Sequence, residues 1–217
     1  MAIQYKNTEW DGKKIILGDH GRSADSPLKL LIGFHGADST PENMLILGNK
    51  LQLKNALTVY PEAPIDAGKG LWSWWKDGPK QLETVHAFMS YADRIIDSAI
   101  HTAKNEYQAN DIQVCLWGFS QGGAAALVYS IMGNHPISKT ASVCGFLPEL
   151  PETNTSKPPA NILGIFGLND NVVPSFMAEY ALDECSGRGH KTDARETKQG
   201  HEVTAENLAQ IELFFND

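Results

Sequence analysis

The pentapeptide Gly118-Phe119-Ser120-Gln121-Gly122 matches G-x-S-x-G, a pattern in which a serine sits on a sharp turn between a strand and a helix with its hydroxyl exposed. In a chain with 19 glycines the pattern alone is weak, and its surroundings supply the specificity. The apolar run from Val114 to Trp117 precedes it, and Gly123-Ala124-Ala125-Ala126-Leu127, a helix start built of small residues, follows. The competing reading is a glycine-rich strand-to-helix turn with an incidental serine. A serine hydroxyl is a poor nucleophile at neutral pH, so it needs a base to take its proton and an acid to orient that base. The chemistry is then attack on a carbonyl carbon.

Seven histidines compete for the role of base. His35 ends an apolar run, His86 and His101 fall within a long helical stretch, His20 and His135 lie in turns without an evident orienting partner, and His190 precedes the last strand. His201 follows that strand, after Gly200 and before the closing helix, and is the choice. The acid is expected between serine and histidine in chain order. Asp170 follows an apolar run through Gly167-Leu168-Asn169, whereas Asp183 and Glu184 lie in a helix and Asp193 and Glu196 on a strand. Attack by Ser120 puts negative charge on a carbonyl oxygen, which calls for oriented N–H donors. Gln121 offers one at the start of its helix, where backbone N–H groups lack intrahelical partners. The loop His35-Gly36-Ala37-Asp38 offers the second, at Ala37, with His35 and Gly36 shaping that loop.

These residues need a scaffold that brings distant segments to one edge. An Asp11-Gly12 turn joins residues 3–10 and 13–17 into a hairpin. From there short apolar runs alternate with helical stretches, the pattern of a mostly parallel sheet covered by helices. Strands are expected at Leu28–Phe34, 56–60, 112–117, 140–144, 161–166 and 192–197, and helices at 41–54, 81–106, Gln121–Met132, 176–185 and 204–215. Residues 66–79 and the proline-rich 148–159 are expected as loops. In an open parallel sheet, chemistry lies beyond the carboxyl ends of the strands, and Ala37, Ser120, Asp170 and His201 each sit at such an end.

Composition narrows the class. A chain of 217 residues with 42% hydrophobic and 20% charged content is too apolar for disorder and suits one domain, residues 1–217. A formal charge of -8 without a basic run disfavours nucleic acid. No stretch approaches the ~18 apolar residues of a membrane span, and the start lacks a signal-peptide core. Cys115, Cys144 and Cys185 are an odd number without C-x-x-C spacing, so they specify neither a disulfide framework nor a zinc site, and a cytoplasmic setting is expected.

The blocks Phe34-His35-Gly36, Gly118-Phe119-Ser120-Gln121-Gly122-Gly123, Gly167-x-x-Asp170-x-x-Val173-Pro174 and Gly200-His201-Glu202 together resemble the phospholipase/carboxylesterase family of α/β-hydrolases, which includes acyl-protein thioesterases and small bacterial carboxylesterases. The resemblance spans about residues 28 to 215. It implies a single-domain α/β-hydrolase without a separate lid domain, hydrolysing small-molecule carboxylic esters or thioesters through a Ser-Asp-His triad, with no metal and no organic cofactor. The sequence departs from the family at Asp38, where many relatives have glycine, and at Phe166, where a histidine often stands. The 148–159 loop is short, so a helix often found there is expected to be missing.

Trp72, Trp74 and Trp75 gather three of the five tryptophans in one loop. They either anchor that loop by packing or form an apolar wall for the acyl or alcohol group of a substrate. The function expected is a serine carboxylesterase for short- to medium-chain esters. The alternatives are a thioesterase or lysophospholipase for long acyl chains and a catalytically silent binding module.

Overall fold

The computed structural model describes residues 3–23, 26–150 and 157–217. The expected hairpin is present: β1 (Gln4–Trp10) and β2 (Lys13–Asp19) pair antiparallel around Asp11 and Gly12, whose φ angles of 54° and 69° are those an Asp-Gly turn supplies. Then come β3 (Leu28–Phe34), α1 (Pro41–Gly48) and β4 (Ala56–Pro61). Thr40 caps α1 by accepting a hydrogen bond from Asn43 N–H, and Pro41 occupies its first turn. The helix is shorter than the expected 41–54. Beyond Gly48 the chain runs on with Leu51 and Leu53 buried in alternation, and it is tied to the last helix through Gln52 N–H to Glu212, Lys54 N–H to Asn216 and Asn216 to Gln52 O.

Within the segment expected to be loop, β5 (Ile65–Gly68) and β6 (Leu71–Ser73) form a small hairpin of their own. The long amphipathic α2 (Gln81–Asn105) follows, burying Val85, Phe88, Met89, Ala92, Ile95, Ile96, Ala99 and Ala103 at helical spacing. The remainder alternates: β7 (Ile112–Phe119), α3 (Gln121–Met132), β8 (Lys139–Val143), β9 (Asn161–Gly167), α4 (Ser175–Gly187), β10 (Lys191–Thr197) and α5 (Ala205–Asn216).

Eight strands form one sheet in the order β1-β2-β4-β3-β7-β8-β9-β10, antiparallel in the first two pairings and parallel in the rest. Strand alternation divides the core. Val114 and Leu116 join α2, α3 and α4 on one face, while Cys115 and Trp117 join α1 and α5 on the other. This layered α/β arrangement shows no separate lid domain among the described residues. The proline-rich 148–159 segment lies partly outside the described residues, since 151–156 are not among them. β7 is central, so Ser120 emerges from the most constrained part of the sheet. α3, buried from Gln121 through Ile131, backs it.

Candidate active site

Ser120 adopts φ 57° and ψ −124°, a strained conformation for a residue with a side chain. Its N–H donates to Val143 O at 2.9 Å, which ties the turn to the end of β8. The two motif glycines are demanded by contact: a Cβ on Gly118 would lie 2.2 Å from Gly122 O, and one on Gly122 would lie 2.0 Å from Phe34 O. β7, α3 and the end of β3 therefore meet backbone to backbone around the serine.

The loop after β9 places Asp170 with its side chain wholly buried. One carboxylate oxygen accepts from the N–H groups of Val172 and Val173, both at 2.8 Å, and the other faces His201 Nδ1 at 2.8 Å. Burial alone would raise this carboxyl, but the hydrogen bonds from His201, Val173, Val172 and Cys144 outweigh it and hold it below its ordinary value. An ionised carboxylate only accepts, so His201 Nδ1 carries the proton and Nε2 is the acceptor. Nε2 lies 2.9 Å from Ser120 Oγ. The imidazole rests against Phe119, with ring centroids 4.8 Å apart. The structure thus brings Ser120, His201 and Asp170, residues from three different strand ends, into one hydrogen-bonded chain that can move a proton off the serine.

Intrahelical bonding in α3 begins with Ala124 N–H to Ser120 O, so the N–H of Gln121 precedes it and is available as a donor. The β3 loop lies alongside: a Cβ on Gly36 would be 3.7 Å from Ser120 Cβ. His35 is buried, accepts from Ala63 N–H at Nε2 (3.3 Å) and donates from Nδ1 to Gly36 O (2.8 Å). Because a trans peptide sets its carbonyl and the following N–H on opposite sides, holding Gly36 O towards His35 turns Ala37 N–H the other way.

Burial lowers His35 to about 4, and His20 to about 4 as well. His190 is lowered too, by burial and by Lys157 and Arg188. A histidine kept neutral in the fold but titrating near 6.5 when unfolded contributes stability in full above that value, and loses it as pH falls towards the folded value. Between pH 6.5 and 4 His35 and His20 are each expected to reduce stability by about 1.4 kcal/mol per pH unit at most. Urea unfolding should therefore show a clearly lower midpoint at pH 5 than at pH 7. Equal midpoints would contradict the neutral, buried state of His35.

The tryptophans require a correction. Trp74 and Trp75 are 0% and 1% exposed and pack edge-on against Phe88, Trp74 also against Phe34, so they belong to the core and offer no wall to a ligand. Trp74 Nε1 donates to His35 O at 2.6 Å. Trp72 keeps partial exposure, but Lys13 Nζ sits 3.7 Å from its ring centroid. Two features escaped the sequence reading. The side chain of Gln121 is buried, accepting from Trp74 N–H (2.9 Å) and donating to Trp75 O (3.1 Å). Cys144, at the end of β8, lies with its Sγ, an Asp170 oxygen and a His201 nitrogen mutually within 4.8 Å. The strand-end rule that selected the triad would have pointed to Cys144 too. These three atoms do not suit a metal ion, because the Asp170 oxygens are already engaged and burial pushes the thiol up to about 12.

A layered α/β sheet with a serine on the central elbow, an acid after β9 and a histidine after β10 defines an α/β-hydrolase of the serine type. A family model described as Phospholipase/Carboxylesterase matches residues 22–217, and the chain belongs to that family. Among solved structures, the carboxylesterase of Bacillus cereus is similar with a TM-score of 0.76 at 15% identity, covering 94% of each chain. A carboxylesterase from Mesorhizobium loti gives 0.76 at 15% identity over 96% of this chain and 97% of its own. SOBER1 of Arabidopsis thaliana gives 0.72 at 20% identity over 88% and 98%. No curated protein matches the chain by sequence.

Proposed function

We propose that this serine hydrolase is a carboxylesterase that cleaves short- to medium-chain carboxylic esters through an acyl-enzyme. The observation that carries this reading is the unbroken relay from Ser120 Oγ through His201 to Asp170, with spacings of 2.9 and 2.8 Å. His201 removes the proton from Ser120 as Oγ attacks the ester carbonyl, and Asp170 stabilises the imidazolium that results. The N–H groups of Ala37 and Gln121 receive the developing oxyanion. His201 then protonates the leaving alkoxide, and a water activated by the same imidazole releases the acid. None of these steps draws on a metal or an organic cofactor. Residues 1–217 serve as one hydrolase domain, and its formal charge of -8 offers no attraction to nucleic acid or anionic surfaces, which favours neutral small-molecule esters. Among the described residues no helix is long and apolar enough to cross a membrane. The free, buried Cys115, Cys144 and Cys185 suit a reducing compartment, which supports placing the activity in the cytoplasm.

A second reading, hydrolysis of longer acyl esters or thioesters, draws on one observation. Leu168, Val172, Phe176 and Tyr180, beside and beyond Asp170, are 52%, 67%, 66% and 59% exposed, with Phe176 and Tyr180 one turn apart on α4. A series of p-nitrophenyl and acyl-CoA esters of increasing length separates the two. Highest kcat/KM below about ten carbons is the expected result, and a maximum beyond that length would transfer the assignment to the longer chains. A fluorophosphonate probe should label the protein at Ser120; a protein that stays unlabelled would be a binding module.

A further inference from the structure

The β3 loop departs from the His-Gly-x-Gly pattern at Asp38, and Asp38 has φ 49°, the left-handed region that glycine reaches without penalty. What holds it there is Ser73, at the end of β6. Asp38 N–H donates to Ser73 Oγ at 3.0 Å, and Ser73 Oγ–H donates back to Asp38 Oδ1 at 2.9 Å. Ser73 is 7% exposed, so this pair is shielded on the serine's side. The adjacent residues bridge in the same place, with Ser39 N–H to Trp72 O at 3.1 Å and Trp72 N–H to Ser39 O at 2.9 Å. Immediately after Ser73, the Trp74 and Trp75 backbone grips the Gln121 side chain, and the Trp74 indole grips His35 O. Residues 72–75 therefore touch both segments that carry the proposed oxyanion donors.

We propose that Asp38 and Ser73 form a positioning pair that fixes the direction of the Ala37 N–H, doing by two reciprocal hydrogen bonds what a glycine at position 38 would do by its own freedom. The proposal rests on the esterase reading above and adds a specific role for the segment 72–75. Ser73 uses its single proton and a lone pair on the same residue, so an alanine at 73 removes both restraints at once. Asp38 is then left in a conformation unfavourable to it, and the loop relaxes.

The test compares S73A, D38A and S73A/D38G with wild type on p-nitrophenyl butyrate. Complete loss of one oxyanion donor costs about 10^2 to 10^3-fold in kcat, and a donor that is present but poorly aimed should cost roughly 10-fold. S73A and D38A are both expected to lower kcat by about that factor with KM within about twofold, and to weaken a trifluoromethyl ketone that forms a tetrahedral adduct by a similar factor. The double variant S73A/D38G is expected to recover most of the loss, because glycine needs no hydrogen bond to hold φ near 49°. D38A changes an exposed residue, so it reports even where the buried S73A fails to fold. A wild-type kcat in D38A, or a double variant no faster than S73A, would overturn the pairing. Labelling of wild type at Ser120 by a fluorophosphonate keeps the two readings apart: without it the esterase reading itself fails, and with it any failure falls on Asp38 and Ser73 alone.

Discussion

Ser120→Ala is expected to reduce kcat on p-nitrophenyl acetate by about 10^4 to 10^6-fold, because the only hydroxyl at the head of the relay is removed while binding and the oxyanion donors persist and keep a residual rate above water. No neighbour can take its place. Cys144 is close, but it is buried and its thiol is held near 12, far from the thiolate that a substitute nucleophile would need. The companion variant Ser120→Gly should be equally inactive and yet more stable. A φ of 57° with ψ −124° costs a residue bearing a Cβ about 1–3 kcal/mol, and glycine relieves it at a backbone-entropy cost of up to about 1 kcal/mol. For a chain of this size the net gain is a rise in Tm of a few degrees, about 2–4 °C per kcal/mol. Thermal melts of wild type, S120A and S120G measure this directly. A wild-type rate in S120A would remove Ser120 from the mechanism, and an unchanged Tm in S120G would show that the strain in the elbow does not exceed the backbone entropy that glycine costs.

The residues at strand ends were legible because each signal is local. Apolar runs followed at once by Gly or Asn mark where a buried strand leaves the sheet, and the parallel order puts all such exits on one edge. Ser120 and Asp170 follow apolar runs in this way, whereas His201 follows the polar strand Lys191–Thr197 and stands out only by comparison with the other histidines and by its place after Gly200, before the closing helix; the structure brings all three together. What was not legible depends on partners distant in sequence. Helix α1 stops at Gly48, and beyond it Gln52 and Lys54 are held by Glu212 and Asn216, about 160 positions away, partners that nothing between 41 and 54 announces. The β5–β6 hairpin was hidden because its strands are short and mostly exposed, and its turn, Gly68-Lys69-Gly70, reads like any glycine-rich loop. Trp74 and Trp75 show the same limit in the site itself. A tryptophan in such a loop has the same local pattern whether its ring turns in or out, and here Gln121, His35 and Phe88 turn both rings inward. The departure at Asp38 was visible as a departure, but its partner Ser73 lies 35 residues on.

Asp170→Asn asks a narrower question than the loss of the nucleophile, since it leaves every heavy-atom position in the relay filled. The N–H groups of Val172 and Val173 both point at one oxygen of the present carboxylate, so the amide oxygen must take that place and the NH2 must face His201. An NH2 facing Nδ1 requires that nitrogen to accept, which moves the ring proton to Nε2. That proton then points at Ser120 Oγ, 2.9 Å away, and the imidazole can no longer receive the serine's own. A fall in kcat of roughly 10^4-fold is expected, with KM little changed, since the acid touches no part of the substrate. Labelling by a fluorophosphonate should slow in parallel, because it depends on the same proton transfer. The fold should survive: the buried side chain keeps its shape and two of its hydrogen bonds, and it loses only the charge that His201 and the neighbouring donors stabilise. A melt at pH 7 that stays within several degrees of wild type would separate lost chemistry from lost structure. A D170N protein within tenfold of wild-type kcat would show that His201 finds its tautomer without Asp170, and would assign the buried carboxylate to the stability of the β9 loop instead.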